Sequence, residues 1–448
     1  MKTEKKINLL YDGLLLTAYF DKGVHRTGIF FTAYNILKEL HKSNIFNITL
    51  LFYKEQKKYL PMIKKERFLS KFKYILFLNT NNNQKFNEYI TINKNKLKNS
   101  KNIFSVLYSL IKIIMYNILL LLYNLFPNIS LKKNNKLKKI INISNIFFSP
   151  YGIIPNEIVF NRKIRKYSML YDIMPILFPE YYPEYFYTDD YFNEYAKMRN
   201  LNHETYFFCI SECTKNDYIN NFKLYLDINK LYVTYISSSQ IFYKNKDINS
   251  LNYVFNKYNI IHKNNDKYIF SFCSLEPRKN LIFTMTCFIK FIKMFNINDL
   301  YFYIGGGYWE SFINLLNEKI NDFNEYKNKI IKLGYIDDDD VNILYSNSLF
   351  FTYISQYEGF GMPPLEAMQS GTPVITSNNS SLPEVVGDAA IMIDYNNEEQ
   401  CIKAFKDLYF DESLRKSYIE KGLERAKFFS WEKTVDNISK VMINTTSL

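Results

Sequence analysis

Two short segments hold residue types and spacings that could do chemistry. The first runs Ser355-Gln-Tyr-Glu-Gly-Phe-Gly-Met-Pro-Pro-Leu-Glu-Ala-Met-Gln-Ser-Gly371. Gly359 and Gly361, on either side of Phe360, let the backbone approach a ligand closely. Pro363 and Pro364 suit the first turn of a helix, where a missing N–H costs nothing, and Gly371 suits its end. A helix starting there, near Leu365, would offer unpaired N–H groups at its positive end, an arrangement suited to phosphate. Glu358 and Glu366 flank it. Carboxylates repel phosphate, so their fitting partners are hydroxyls, as on ribose and a sugar. The second segment is Ser274-Leu-Glu-Pro-Arg-Lys-Asn280. Arg278 can fork onto a phosphate and Lys279 can add a point charge. Taken singly, the bland readings are capping, surface charge and a solvated basic pair. Glutamates, glycines, prolines and a helix start together make a stronger signal.

Both segments follow apolar runs that read as strands. In the carboxy-terminal half such runs occur at Tyr268–Cys273, Leu300–Ile304, Lys329–Leu333, Leu349–Ile354, Pro373–Thr376 and Ala390–Ile393. Helix-length amphipathic stretches, such as Leu281–Phe295 and Trp309–Phe323, separate most of them. Strand, crossover and strand repeated this way predict an α/β fold, a parallel sheet with helices on both faces. Ligands of such sheets sit beyond the carboxyl ends of the strands. In the amino-terminal half, Ile7–Leu10, Ile48–Phe52, Tyr167–Leu170 and Tyr206–Ile210 read as strands, with a helix from about Gly28 to Leu40. The polar stretch Ile236–Ser250 marks the break between the halves.

Composition narrows the class. The chain has 448 residues, 47% hydrophobic and 23% charged, ordinary globular usage that excludes wholesale disorder. Glycine is scarce at 13 residues, and eight of these lie between Gly305 and Gly387. The net charge of +13 is uneven: Lys54–Lys139 alone carries 19 Lys/Arg against three Glu. Such a segment seeks polyanions. With no helix-turn-helix, zinc-finger or RNA-binding signature, anionic lipid is the expected partner and nucleic acid is not. Within this segment, Ile103–Phe126 is apolar with polar residues near one helical stripe, which favours an amphipathic helix over a membrane span. The pattern fits a membrane-surface helix and a helix packed on its own domain equally well.

The five cysteines are odd in number and sit in mostly apolar contexts, as in a reduced, cytosolic chain. Cys209 and Cys213 are spaced for one helical face. The four histidines are scattered, so no metal site is expected. Asp337–Asp340 precedes a helical run, and acids at helix starts are ordinary. Gly305-Gly-Gly307 reads as a turn from strand to helix.

The two segments, together with Thr372-Pro-Val-Ile-Thr-Ser-Asn-Asn-Ser-Ser-Leu-Pro-Glu-Val385, resemble the retaining glycosyltransferases of family 4, of bacterial surface-glycan type. The likeness is dense from Tyr268 to Lys433. It is sparser through Arg26-Thr-Gly-Ile29, Tyr171-Asp-Ile-Met-Pro-Ile-Leu-Phe-Pro-Glu-Tyr181 and Ser211-Glu-Cys-Thr-Lys-Asn-Asp217. The resemblance implies the GT-B fold: two Rossmann-like doubly wound domains, 1–240 and 250–428, facing a central cleft. The basic stretch at about 54–139 would be an insertion in the first. Residues 429–448, opening on Phe429-Ser-Trp431, would form a terminal helix crossing back to it.

By the same resemblance, Glu366 binds the donor's ribose and Glu358 the transferred sugar. Gly359, Phe360 and Gly361 present backbone, with the helix start at Leu365. Arg278 and Lys279 hold the diphosphate, and Gly28 lies in a loop closing under it. Arg26, Tyr171 and Asp172 fall on the acceptor or sugar side. Many members carry His-Asp where this chain has Tyr171-Asp172, which puts a proton-shuttling role there in doubt. The implied function is transfer of a hexose, mannose being favoured, from a nucleotide sugar to a lipid-linked glycan in surface polysaccharide or lipopolysaccharide synthesis. The implied setting is the inner face of the cell membrane, with no cofactor or metal. The rival expectations are a GT-B epimerase or phosphorylase, and a non-catalytic nucleotide-sugar-binding subunit.

Overall fold

In a computed structural model the chain is described over residues 6–20, 28–77, 110–112, 114–115, 135–151, 154–159, 161–182, 195, 201–263, 266–307, 320 and 323–446. It forms two parallel sheets, each made by one half of the chain. The first contains β1 (Ile7–Asp12), β2 (Phe46–Tyr53), β3 (Lys73–Phe77), β4 (Ile146–Ser149), β5 (Arg165–Leu170), β6 (Tyr206–Cys209) and β7 (Leu231–Val233), in the order β3-β2-β1-β4-β5-β6-β7. The second contains β8 (Lys267–Phe272), β9 (Leu300–Gly305), β10 (Ile330–Gly334), β11 (Phe351–Tyr353), β12 (Val374–Ser377) and β13 (Ile391–Ile393), in the order β10-β9-β8-β11-β12-β13. Every strand pair is parallel.

The sequence dictates this layout through burial. Parallel strands are covered on both faces and therefore read as continuous apolar runs. Leu9, Leu10 and Tyr11 of β1, and Ile269 and Phe270 of β8, are all fully buried. The helices between strands bury one stripe each, as Met285, Phe288 and Ile292 do on the helix Leu281–Met294. Each sheet winds outward in both directions from its centre. The switch falls between β1 and β4 in one sheet and between β8 and β11 in the other, where a ligand crevice belongs.

The expected strands are present with boundaries shifted by no more than two residues. Three more, β3, β4 and β7, have no counterpart in the sequence reading. They are short; β4 follows the basic stretch, and β3 lies within it, so that part of the expected insertion at about 54–139 belongs to the first sheet itself. Cys209 and Cys213 do not share a helix: Cys209 ends β6, and Cys213 lies in the first turn of the helix Glu212–Phe222. The helix expected at Trp309–Phe323 falls almost wholly outside the described residues. Of Ile103–Phe126, only residues 110–112 and 114–115 are described; they are helical, with Leu110, Ile111, Ile114 and Met115 exposed. Among the described residues no helix is long and apolar enough to cross a membrane.

The last helix, Trp431–Thr445, joins the two halves. Ser430 caps it by accepting from the Lys433 N–H at 3.2 Å. The Trp431 indole donates to the Ser238 carbonyl at 2.9 Å, and Thr434 donates to the Tyr235 carbonyl at 2.7 Å. At its far end Thr445 and the Tyr167 hydroxyl of β5 lie 2.7 Å apart. The helix also packs against the first long helix, Gly28–Lys42. Replacing Trp431 by Ala removes a nearly buried ring and its hydrogen bond. The expected loss is about 3–5 kcal/mol, read from the shift of a urea unfolding transition at unchanged slope; a loss near zero would mean that the helix adds nothing to the fold.

Candidate active site

The two chemically rich segments lie side by side because β8 and β11 are neighbours at the switch of the second sheet. The loop after β8 closes in a tight turn, Pro277–Lys279, and Asn280 takes a left-handed conformation (φ 56°) to start the next helix. The loop after β11 carries Ser355 to Gly361. Its register is pinned to the first loop: Gln356 N–H and Ser355 Oγ both donate to the Arg278 carbonyl, at 2.8 and 3.2 Å.

Three charges meet there. Arg278 Nη1 donates to Glu358 Oε1 at 2.9 Å, and Lys279 Nζ donates to the same oxygen at 2.6 Å. The Tyr353 hydroxyl donates to it at 3.0 Å. Arg278 is further fixed by the Tyr357 carbonyl at 2.6 Å and by Glu276 at 3.1 Å. Burial pushes the Glu358 carboxyl up, but Lys279 and Arg278 outweigh it and hold the group below its ordinary value. Burial likewise disfavours charge on Arg278, and the field of Glu358 reverses this. Two cations, Arg278 and Lys279, thus face two carboxylates, Glu358 and Glu276, the latter bound to Arg278 alone. Among the described residues the buried Arg278 Nε has no hydrogen-bond partner, a deficit that normally costs stability. The site is therefore short of acceptors, which suits an incoming anion.

Glu366 lies on the helix Met362–Gln369, and Tyr345 donates to its carboxylate at 3.2 Å. It keeps some solvent contact, yet burial pushes its carboxyl up to about 7, with Asp338 adding to the rise and the Tyr345 bond opposing it. With Tyr345 as a donor, this carboxylate still has acceptor capacity that two adjacent hydroxyls of a ligand could fill.

The helix start differs from expectation. Pro363 and Pro364 have no N–H, and Leu365, fully buried, donates its N–H to the Gly361 carbonyl at 3.3 Å. The supply of free N–H groups for phosphate is thus smaller than the sequence suggests, and the cationic side chains carry more of that role. Gly361 has φ 119°, which disfavours any other residue. The Phe360 ring packs against Tyr235 and Phe429, and its carbonyl accepts from the Ser381 hydroxyl at 2.6 Å.

The first half of the chain closes over this loop. Ser211 and Thr214 hydroxyls donate to the Gly359 carbonyl at 2.7 and 3.1 Å. A Cβ at Gly359 would stand 2.8 Å from Asp172 Cβ, so the glycine is what lets Asp172 sit against the loop. Glu384 reaches back and accepts the Glu212 and Cys213 N–H groups, each at 2.7 Å. Tyr357 donates to Asp217. Tyr171 is buried, and its hydroxyl donates to the Pro150 carbonyl at 2.9 Å. From this segment, Asp172 rather than the Tyr171 hydroxyl adjoins the loop. Gly28 begins the first long helix, with open space where a side chain would be; Arg26 lies outside the described residues.

Asp337 and Asp340 each accept from Lys257 at 2.6 Å, and Asp340 also accepts from Tyr258, at the start of the helix Asp338–Asn347. Among the described residues no acidic, cysteine or histidine group is arranged to hold a metal. Gly305 ends β9, and a Cβ at Gly306 would collide with the Cys273 carbonyl, so this glycine serves the packing against the β8 loop. The sequence reading missed Tyr353, a strand residue that looks like core, and the individual contacts of Ser211, Thr214 and Glu384, whose partners are far away in sequence.

Two doubly wound parallel sheets, clasped around loops at the carboxyl ends of their strands, define a GT-B protein. In its carboxy-terminal half, residues 255–425 match the family model described as "Glycosyl transferases group 1". The O-antigen chain mannosyltransferase B of Escherichia coli is 47% identical over 100 residues, which are 22% of this chain and 26% of that relative. The chain thus aligns with only about a quarter of that protein. Among solved structures, HepE of Anabaena, in complex with UDP and glucose, superposes with a TM-score of 0.62 at 13% identity, covering 97% of this chain and 99% of that one. Sucrose-phosphate synthase of Thermosynechococcus elongatus gives 0.64 at 14% identity, covering 98% and 99%. At such identities the likeness concerns the fold.

The raised carboxyl of Glu366 makes a pH prediction. An acid whose value rises from about 4.5 in the unfolded chain to about 7 favours folding at low pH, and that contribution fades as pH rises between the two. Glu366→Gln should therefore gain thermal midpoint over the native chain at pH 8 and gain much less at pH 5. An equal difference at both pH values would place the carboxyl in an ordinary, solvated setting.

Proposed function

We propose that the chain is a retaining glycosyltransferase that moves a hexose from a nucleotide sugar to a glycan in surface-polysaccharide synthesis. The observation that carries this is the Arg278–Lys279–Glu358 cluster at the switch point of a group 1 glycosyl transferase domain. Glu366 receives the ribose hydroxyls, for which its remaining acceptor capacity is suited. Glu358 faces the transferred sugar, and the cations Arg278 and Lys279 face the diphosphate. In the reaction the bond from the sugar's anomeric carbon to the diphosphate oxygen breaks. Charge builds on the departing diphosphate, where Arg278 and Lys279 stabilise it electrostatically and take the place of a divalent cation. The acceptor hydroxyl adds on the same face and passes its proton to the leaving phosphate oxygen. No pair of carboxylates of the hydrolase kind is needed. Mannose is the favoured sugar because a relative that is 47% identical over its aligned stretch is an O-antigen mannosyltransferase.

Lys279→Ala should lower turnover of GDP-mannose more than it lowers binding of the intact donor, because charge grows only during reaction. Steady-state kinetics with calorimetry separates the two. The product's anomeric configuration, read by NMR, should match the donor's; an inverted product overturns the mechanism, and a full screen of nucleotide sugars without turnover would favour a non-catalytic binding subunit.

The acceptor we propose is lipid-linked, presented at the inner membrane face. The support is charge: 19 basic residues against three acidic ones between Lys54 and Lys139. Each basic residue near an anionic surface contributes on the order of 1 kcal/mol. The purified chain should float with anionic vesicles, float less with neutral ones, and detach in high salt as the charges are screened. Indifference to anionic vesicles at low salt would point to an acceptor in solution.

A further inference from the structure

We propose that Tyr353 is a positioning residue for the transfer step, its hydroxyl holding Lys279 between the Glu358 carboxylate and the site of the departing diphosphate. The inference rests on the transferase reading above and deepens it. Tyr353 is the last residue of β11, at the switch point, and is 4% exposed. Phe351, two residues earlier on the same face, stacks against its ring at 6.0 Å. That ring lies under the Lys279 ammonium, 5.1 Å from nitrogen to ring centre. The hydroxyl accepts from Lys279 Nζ at 2.6 Å and donates to Glu358 Oε1 at 3.0 Å. Lys279 also donates to that carboxylate oxygen, at 2.6 Å. Ammonium, phenol and carboxylate therefore close a triangle of hydrogen bonds in a buried setting.

A packing role explains the ring but not the bridge. Lysine carries its charge on a flexible four-carbon stem, so its direction must be set by partners. With only Glu358 as acceptor, the ammonium would be drawn fully into that ion pair. Tyr353 supplies a second, neutral acceptor on the other side. Two N–H groups are then held, and the third remains for the leaving group. Burial and the charge of Glu358 push the phenol well above its ordinary value, so it stays protonated and continues to donate to Glu358.

The test compares the native chain with Tyr353→Phe, Lys279→Ala and the double variant. The probes are GDP with GDP-mannose and UDP with UDP-glucose, binding is measured by calorimetry, and turnover is measured with the productive donor. A lost charge-assisted hydrogen bond predicts that Tyr353→Phe lowers kcat about tenfold. The KM for the donor should move by about twofold or less, since the effect belongs to the transition state. Free nucleoside diphosphate should weaken more than the intact sugar nucleotide. In the Lys279→Ala background the phenylalanine should cost no further kcat, because its effect passes through that ammonium. An unchanged kcat, an equal loss in both backgrounds, or a Tyr353→Phe chain that does not fold would overturn the proposal. If the native chain binds neither nucleotide pair and turns over neither donor, the transferase reading itself fails, and that result is distinct from any behaviour of Tyr353.

Discussion

A buried carboxylate held by two cations organises this molecule. Glu358 could not be charged where it sits without Arg278 and Lys279, since an unpaired buried ion costs several kcal/mol. Those two residues in turn come from a different loop, which the sheet must bring alongside. Much of the local architecture follows from that need. The Arg278 carbonyl accepts from both Ser355 and Gln356, so the backbone of one loop is tied to the other before the side chains meet. The Ser380 hydroxyl accepts the Glu358 N–H, which fixes the carboxylate's own residue. The site is pre-organised at the level of the backbone, and the ion cluster inherits that order.

The same loop carries the contact with the other half of the chain. Tyr357, Glu358 and Gly359 are consecutive: the first reaches Asp217, the second holds the cations, and the third accepts from Ser211 and Thr214. A displacement of one half against the other therefore acts directly on the residue that pairs with the cations. Aromatic packing reinforces the join, with Tyr235, Phe360 and Phe429 in mutual contact.

What could be read from sequence divides along physical lines. The second sheet was legible because its strands are buried on both faces and its loops concentrate rare glycines. The segments with Arg278, Lys279, Glu358 and Glu366 stood out by residue type and by helix and turn signals, all local. The partners of those residues were not legible. Tyr353 looks like any aromatic in a strand until its hydroxyl is placed, and Glu384 looks like an ordinary acid in a first helical turn. The phosphate-binding helix start was overread, since two prolines remove the very N–H groups it needed. Short strands such as β4 and β7 carry too few residues for a periodic signal.

Glu384 has a further consequence. The helix Glu212–Phe222 obtains a carboxylate for its first N–H groups from a residue more than 160 positions away, in the other half of the chain. Ser211 satisfies the next N–H locally, so the helix is capped jointly by its own residue and by a foreign one. When the halves part, the two N–H groups lose an ionised acceptor and must be hydrated instead, while the carboxylate is released into water. Hydration compensates most of the loss at these two N–H groups. At this one contact the halves are therefore parted at little cost, unlike the buried aromatic packing of Tyr235, Phe360 and Phe429 beside it.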